Sequence, residues 1–366
     1  MPQQTKTALA EPTEPAFSCP APLGVRDRIL LGHGSGGRLS AELLRDVFLP
    51  LFSNPVLDRM DDQAIFEIGG SRIAFTTDSF VVKPLFFPGG DIGSLAVHGT
   101  VNDLAMGAAT PLFLSAAFIL EEGFPTAGLQ RIAASMAQAA ASAGVAIVTG
   151  DTKVVEKGKG DGLFINTTGI GMVPDGIRLS AGNAQPGDRV ILSGPIGDHG
   201  IAILARREGL EFDTEIESDS APLHTLVAAI LSAAEEAGGP VRCMRDPTRG
   251  GLSSAVNEIA AQSGVSIQLE ESKIPVRPEV RGACELLGLD PLYVANEGKL
   301  VAIVAPEAAD RILAAMRRHR LGADAAIIGT VGSLGNARAS SVVMKTVFGS
   351  TRIVDLLAGD QLPRIC

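Results

Sequence analysis

The sequence predicts an α+β or mixed α/β protein of two domains, and three observations carry that expectation. Its 366 residues exceed one ordinary domain. Helix-like and strand-like periodicities alternate through both halves without the strict rhythm of a parallel βαβ sheet. A cluster of turn residues at 179–186 separates two blocks of comparable content. The chain divides accordingly into a disordered extension (1–25), a first domain (26–180), a second domain (181–354) and a flexible tail (355–366).

The opening residues are rich in Pro, Thr and Glu and lack the apolar run of an export signal. In the first domain, residues 64–68 and 72–76 alternate in strand fashion around Gly69-Gly70-Ser71, which predicts a hairpin. A helix is expected over 93–106, opened by Gly89-Gly90-Asp91, with Asp91 suited to a cap. A second helix runs from Thr126 as N-cap to Gly144 as C-cap, with Leu129, Ile132, Ala133, Met136 and Ala140 as its apolar stripe. Residues 145–149 read as a buried strand ending in Gly150-Asp151. In the second domain, 187–194 reads as a turn running into a strand. Helices are expected at 221–237, 251–262 and 306–319, and strands at 265–269, 300–304 and 326–331. Pro363 forbids a helix in the tail, leaving Cys366 as a terminal thiol on a mobile arm.

Composition narrows the function classes. Hydrophobic residues make up 46% of the chain, yet Trp is absent and Tyr293 stands alone, so the core is built from Ala, Val, Ile, Leu and Phe. A formal charge of −10 argues against a nucleic-acid partner, whose phosphates need a basic face. The longest apolar stretches, such as 111–120, are too short to span a membrane. Cys19, Cys243, Cys284 and Cys366 are scattered without a C-x-x-C, so neither zinc nor a disulfide framework is expected. A reduced, cytoplasmic chain is the default. Cys366 is also misplaced for prenylation.

The chemistry-bearing residues are mostly acids and glycines. Folding the hairpin brings Asp61 and Asp62 opposite Thr77 and Asp78 at one sheet edge. Carboxylates converging there repel one another unless a cation sits among them. All-oxygen ligands suit Mg²⁺, which commonly bridges carboxylates to nucleotide phosphates. Asn102-Asp103 within a helix, Asp151 after a strand, and Asp246 in Arg245-Asp246-Pro247-Thr248-Arg249-Gly250-Gly251 add further acids. Taken singly, an Asp at such positions is more often a cap or turn residue, a description that suits Asp91 and Asp188 best. His33-Gly34-Ser35-Gly36-Gly37 offers backbone N–H groups to phosphate. No G-x-x-x-x-G-K-[ST] and no strand-borne G-x-G-x-x-G exists, so any ATP site here is metal-led. Lys153 suits neutralisation of phosphate charge, and Glu297 suits a base before a strand. Viewed one at a time, both are ordinary surface residues.

Together these segments resemble the HypE family, the carbamoyl dehydratases of hydrogenase maturation, within the PurM-like, AIR-synthase-related superfamily. The matching stretches are His33–Gly37, Asp61-Asp62-Gln63-Ala64, Thr76-Thr77-Asp78-Ser79-Phe80 onward to Gly99-Thr100-Val101-Asn102-Asp103-Leu104-Ala105-Met106, Gly150-Asp151-Thr152-Lys153-Val154-Val155, the Arg245 motif, Asn296-Glu297-Gly298-Lys299 and the terminal Pro363-Arg364-Ile365-Cys366. They cover the chain from about residue 29 to its end. The resemblance implies a homodimer whose core is the N-terminal sheet domain, a C-terminal α/β domain, and binding of ATP with Mg²⁺. It implies a carbamoyltransferase (HypF) that loads Cys366, ATP-driven dehydration of the S-carboxamide to an S-cyanide, and transfer of cyanide to iron on a HypC–HypD scaffold. The expected roles are metal contacts for Asp62, Asp78, Asp103 and Asp246, and nucleotide contacts for Gly34, Gly36, Gly37, Asp78, Asn102, Asp103, Asp151 and Thr152. Cys366, Lys153 and Glu297 are the expected catalytic residues, with Arg364 favouring the thiolate. Selenophosphate synthetases share the acidic framework but carry a reactive Cys or selenocysteine in the Gly-rich loop, where this chain has Ser35. AIR synthase and thiamine-monophosphate kinase do not explain a terminal cysteine. A nucleotide-switched carrier without dehydratase activity is the alternative of a different class.

Overall fold

The computed structural model describes residues 28–210, 215–334, 341–357, 359, 362 and 364–366. The expected disordered extension therefore lies outside the described residues. The N-terminal half begins with two short helices, α1 (Arg38–Leu43) and α2 (Leu49–Phe52). The hairpin follows as β1 (Ala64–Ile68) and β2 (Ser71–Phe80). Its register sets Ala64 opposite Phe75 and Ile68 opposite Ser71. The turn is thus Gly69-Gly70 alone, both at positive φ as a two-residue hairpin turn demands. β3 (Phe86–Phe87) and β4 (Gly90–Asp91) form a short ribbon. It leads into α3 (Ile92–Met106), where Asp91 caps the helix by accepting from the Gly93 and Ser94 amides at 2.8 and 3.1 Å.

The half is completed by β5 (Thr110–Glu121), α4 (Thr126–Ala143), β6 (Ala146–Val155) and β7 (Leu163–Met172). α4 ends on Gly144 in the left-handed conformation, as expected, but its N-cap is Pro125. The sheet order is β1-β2-β7-β5-β6. α3 packs on β2 and β7 and is itself covered by α4, which is why it is buried around most of its circumference. The opposite face of the sheet carries Phe75, Phe113, Ile119, Ile170 and Met172, all exposed. β6 departs from the sequence expectation. It is an exposed edge strand running on to Val155, with Gly150 and Asp151 inside it. A short apolar run does not distinguish a buried strand from one at an edge awaiting a partner.

The C-terminal half contains β8 (Arg189–Leu192), α5 (Asp198–Glu208), α6 (His224–Ala237), β9 (Val241–Arg245), α7 (Gly251–Ser263), β10 (Ser266–Glu270), α8 (Pro278–Leu287), β11 (Val301–Val304), α9 (Pro306–Arg318), β12 (Ala326–Gly332), β13 (Ser341–Lys345) and β14 (Thr351–Ile353). Its seven strands lie in the order β14-β13-β10-β12-β8-β11-β9, mostly antiparallel. The pair α6 and α9 packs together, and Ala105 and Met106 of α3 share their apolar cluster. A second cluster fuses Val97 and Val101 of α3 with Ile201 of α5 and with Leu362 and Ile365 of the tail. The two halves and the tail thus share one apolar interior, and the acids lie along the seam.

Candidate active site

Along β2, alternate residues face α3. Ala74, Thr76 and Phe80 are buried, with Asp78 half-buried among them. Gly99 of α3 sits over this row: a Cβ there would fall 2.9 Å from the Phe80 ring and 3.7 Å from Asp78 Oδ2. One turn later Asp103 reaches the same face, and Thr76 Oγ1 donates to its Oδ2 at 2.9 Å. The same hydroxyl lies 3.1 Å from the Asp62 carbonyl, which ties the foot of β1 to the row. Asp62 faces Arg245 at 3.4 Å, and Asp246 follows Arg245 at the end of β9.

The electrostatics confirm that these acids share one space. Burial pushes Asp103 well above the carboxylate range, and the neighbouring charges of Asp246, Asp78 and Asp62 push it further. Asp246 is pushed up to about 8 by burial and then by Asp62. Asp62 and Asp78 are raised by burial too, opposed by Arg245 and Arg249 respectively. Glu297, only 3% exposed, is raised by burial and by Asp246, Asp78 and Asp219; among the described residues its Oε1 has no hydrogen-bond partner. Among the described residues, no three His, Cys, Asp or Glu side chains close on one point as a metal cage. The donors are nevertheless all oxygen, and their raised values mark a place where ionised carboxylates lack sufficient counter-charge. That fits Mg²⁺ arriving with phosphates, since this ion uses one or two carboxylates and fills its remaining positions with phosphate and water.

The Gly-rich loop closes one side. Gly36, at φ +74, packs on Arg249, where a Cβ would fall 2.5 Å from the Arg249 Cβ, and Gly37 comes equally close to the Leu357 carbonyl. Ser254 Oγ donates to Gly36 O at 2.7 Å, and Arg249 Nη1 to Gly34 O at 3.2 Å. In this state Gly36 and Gly37 therefore serve close packing of the loop. Gly34 alone faces open space, in a cavity of 140 Å³ that it shares with Ser79, Arg249 and Cys366.

Cys366 is docked into this cleft by its own chain. The Val81 amide donates to Cys366 O at 3.0 Å, and the Lys83 amide to Arg364 O at 3.3 Å, so the tail lies beside the segment that follows β2. Leu362 and Ile365 are buried beneath it. Arg364 points away from the thiol: it pairs with Asp161 and donates to Val81 O at 3.1 Å. The expectation that Arg364 favours the thiolate is thus corrected; the guanidinium facing the sulfur is that of Arg249. Burial pushes the Cys366 thiol up, Arg249 opposes this, and Glu297, Asp78 and Asp246 add to it. The docked position therefore favours the neutral thiol over the nucleophilic thiolate.

Three expected residues are not gathered here, and a fourth has a different role. Asp151, Thr152 and Lys153 lie on β6, three strands from β2, so about 14 Å of sheet separates them from Asp78. Lys153 is exposed and pairs with Asp151 at 2.7 Å. Register places Asp151 beside Ala117 and Lys153 beside Ile119, on the uncovered sheet face. Asn102 is spent as a strut between the domains. Its amide donates to Ala221 O and Glu297 O at 3.1 and 3.2 Å and accepts from Leu223 N at 2.8 Å. Asp61 ties the domains similarly, accepting from Ser180 Oγ and Ala181 N at 3.0 and 2.9 Å.

Sequence reasoning missed Arg249, although its motif was visible, and it missed the network beneath Glu297. Lys299 Nζ pairs with Asp219 Oδ2 at 2.9 Å, and Asp219 Oδ1 accepts from Glu297 N at 3.0 Å. Nearby, Asp198 opens α5 almost fully buried; among the described residues neither oxygen is hydrogen-bonded, and Arg277 faces it at 3.5 Å. Burial raises it from 3.8 to about 6. A carboxyl whose folded value is raised holds its proton longer in the folded state, so stability falls as pH rises from about 4 to about 6 and stays lower above that. Asp198→Asn is accordingly expected to stabilise the protein by roughly 1–3 kcal/mol at pH 7.5, with the gain vanishing near pH 4. Denaturant titrations at the two pH values check this.

Residues 60–173 match the family described as AIR synthase related protein, N-terminal domain, and residues 185–340 the corresponding C-terminal domain. The carbamoyl dehydratase HypE of Azotobacter vinelandii is 60% identical over 334 residues, spanning 91% of this chain and 96% of that protein. The HypE of Escherichia coli K12 is 47% identical, spanning 93% and 100%. A solved HypE–HypF complex has a chain 50% identical at a TM-score of 0.80, covering 86% of this chain and 99% of that one. A HypE structure in complex with ATP is 50% identical at a TM-score of 0.77, covering 93% and 100%. Thiamine monophosphate kinase from Aquifex aeolicus, 18% identical at a TM-score of 0.60, shares the fold alone. With both halves of the AIR synthase pattern matched and relatives of this identity covering nearly its whole length, the chain belongs to the AIR synthase related family and, within it, to the HypE carbamoyl dehydratases.

Proposed function

We propose that this protein binds ATP and dehydrates a carbamoyl group carried on the sulfur of Cys366, delivering cyanide for the iron of a [NiFe]-hydrogenase. The observation that carries this reading is the docking of the chain's own terminal thiol beside Arg249, Glu297, Asp78 and Asp246. The carboxamide oxygen attacks the γ-phosphorus, the bond to the β-phosphate oxygen breaks, and ADP leaves. One N–H proton departs as the O-phosphoryl imidate forms. The second leaves as the C–O bond breaks, releasing phosphate and the S–C≡N group. Phosphorylation is needed because hydroxide is too poor a leaving group. We assign Glu297, whose Oε1 has no hydrogen-bond partner among the described residues, the part of taking a nitrogen proton. Arg249 is placed to oppose charge on the transferring phosphoryl oxygens. Asp62, Asp78, Asp103 and Asp246 would hold Mg²⁺, which supplies charge neutralisation to the phosphates when bound. The cavity of 410 Å³ between Leu44, Leu57, Met60 and the polar wall of Asp62, Gln63 and Arg245 has the size and mixed lining for a nucleoside. ADP released in a one-to-one ratio with converted tail supports an enzyme; a loaded tail that is never converted points to a carrier, and conversion without ADP contradicts the role of ATP.

A carbamoyltransferase of the HypF type would load Cys366, with a HypC–HypD scaffold accepting cyanide. Among the described residues, no helix is long and apolar enough to cross a membrane, and we place the reaction in the reducing cytoplasm. We set the domain seam between residues 180 and 181.

A homodimer built on the N-terminal sheets accounts for the exposed apolar face of Phe75, Phe113, Ile119, Ile170 and Met172. It also gives Asp151 and Lys153, which lie on that face, a route to the neighbouring subunit's nucleotide. Ile170→Glu is expected to yield monomers by light scattering and to slow dehydration at least about tenfold; unaltered mass would contradict the interface.

A further inference from the structure

We propose that His199 and Arg207, both on α5, are positioning residues that grip the main chain of the tail and set the register of Cys366 for dehydration. This rests on the reading of Cys366 as the substrate-bearing atom. The main-chain oxygens of three consecutive tail residues are held. His199 Nε2 lies 2.9 Å from Ile365 O, Arg207 Nη2 donates to Arg364 O at 2.7 Å, and the Val81 amide donates to Cys366 O at 3.0 Å. A carbonyl only accepts, so Nε2 of His199 carries the hydrogen.

The donors are themselves fixed. His199 is fully buried, its Nδ1 is 2.7 Å from Ser218 Oγ, and its ring meets Phe87 edge-on at 5.7 Å. Burial lowers its pKa, which keeps the ring neutral, with Nδ1 accepting from the serine hydroxyl. Arg207 spans body and tail with one fork, its Nε donating to Lys83 O at 2.9 Å. The two residues stand eight positions apart on the helix, roughly 12 Å along its axis. They therefore bracket the terminal residues rather than pinning one point.

Two consequences follow from the chemistry of the grip. Main-chain carbonyls are unchanged when the sulfur is carbamoylated, so the same contacts serve a free and a loaded tail. Loading is the work of a separate protein that must reach the sulfur, which the docked tail holds in a cavity of 140 Å³, so loading uses the released tail and the grip serves dehydration. Small misplacements of a reacting atom are costly, up to about 100-fold per ångström.

The test uses His199→Ala, Arg207→Ala and the double variant in the full chain. Loading of Cys366 by the partner carbamoyltransferase and single-turnover dehydration on adding ATP-Mg²⁺ are followed separately by C-terminal peptide mass. Loading is expected to be no slower than in wild type. Dehydration is expected to slow about tenfold or more. His199→Gln, which keeps a donor, should recover most of the rate. Iodoacetamide should alkylate Cys366 faster in the alanine variants than in wild type. Wild-type dehydration rates and alkylation in the variants overturn the proposal. So do loading, dehydration and melting temperature falling together, which marks a merely structural role. A wild-type protein that loads but never dehydrates overturns instead the reading of the site on which the proposal rests.

Discussion

Glu297→Gln is expected to slow ATP-dependent dehydration by at least about 100-fold while leaving the loading of Cys366 intact. The residue is 3% exposed, its Oε1 has no hydrogen-bond partner among the described residues, and its backbone is pinned by Asp219 and Asn102. Glutamine keeps the shape and those backbone contacts but takes no proton. Burial and the neighbouring acids raise the carboxyl, so its neutral form dominates until pH is high or adjacent charge is offset. The wild-type rate should therefore climb with pH on its acid limb, and the residual Glu297→Gln rate should lose that limb. A variant with the full rate and the same pH profile would remove Glu297 from the chemistry.

Cys366→Ala is expected to abolish both loading and dehydration, because it removes the atom that carries the group. The fold should survive. The tail is held through main-chain carbonyls and through Leu362 and Ile365, none of which the substitution touches. ATP binding, followed by calorimetry, should stay near the wild-type value. Persistent dehydration in Cys366→Ala would place the substrate elsewhere.

Much of the fold was legible where local physics decides it. The Gly69-Gly70 turn, the Asp91 cap and the Gly144 C-cap follow from glycine's tolerance of positive φ and from side-chain capping. β6 was misjudged because its apolar residues read as buried, whereas they lie on an edge strand. Adjacent residues in one motif also took different roles. Asp103 joins the acids, while Asn102, one position along the helix and therefore on another face, is consumed in joining the domains. Lys153 and Cys366 show the reach of long-range pairing. Strand order carries Lys153 away from the acids in its own chain, and α5, some 160 positions before the terminus, fixes the tail. No pattern of spacing near Arg364 announces that its guanidinium turns to Asp161 and leaves the sulfur to Arg249.

The most direct test of the central claim is the mass of the C-terminal peptide after incubation with the carbamoyltransferase partner, carbamoyl phosphate and ATP-Mg²⁺, set beside the same mixture in which the loaded protein receives a non-hydrolysable ATP analogue. The account predicts a carboxamide on Cys366 that loses one water with ATP and persists with the analogue. A carboxamide that persists in both, or water lost in both, would contradict it.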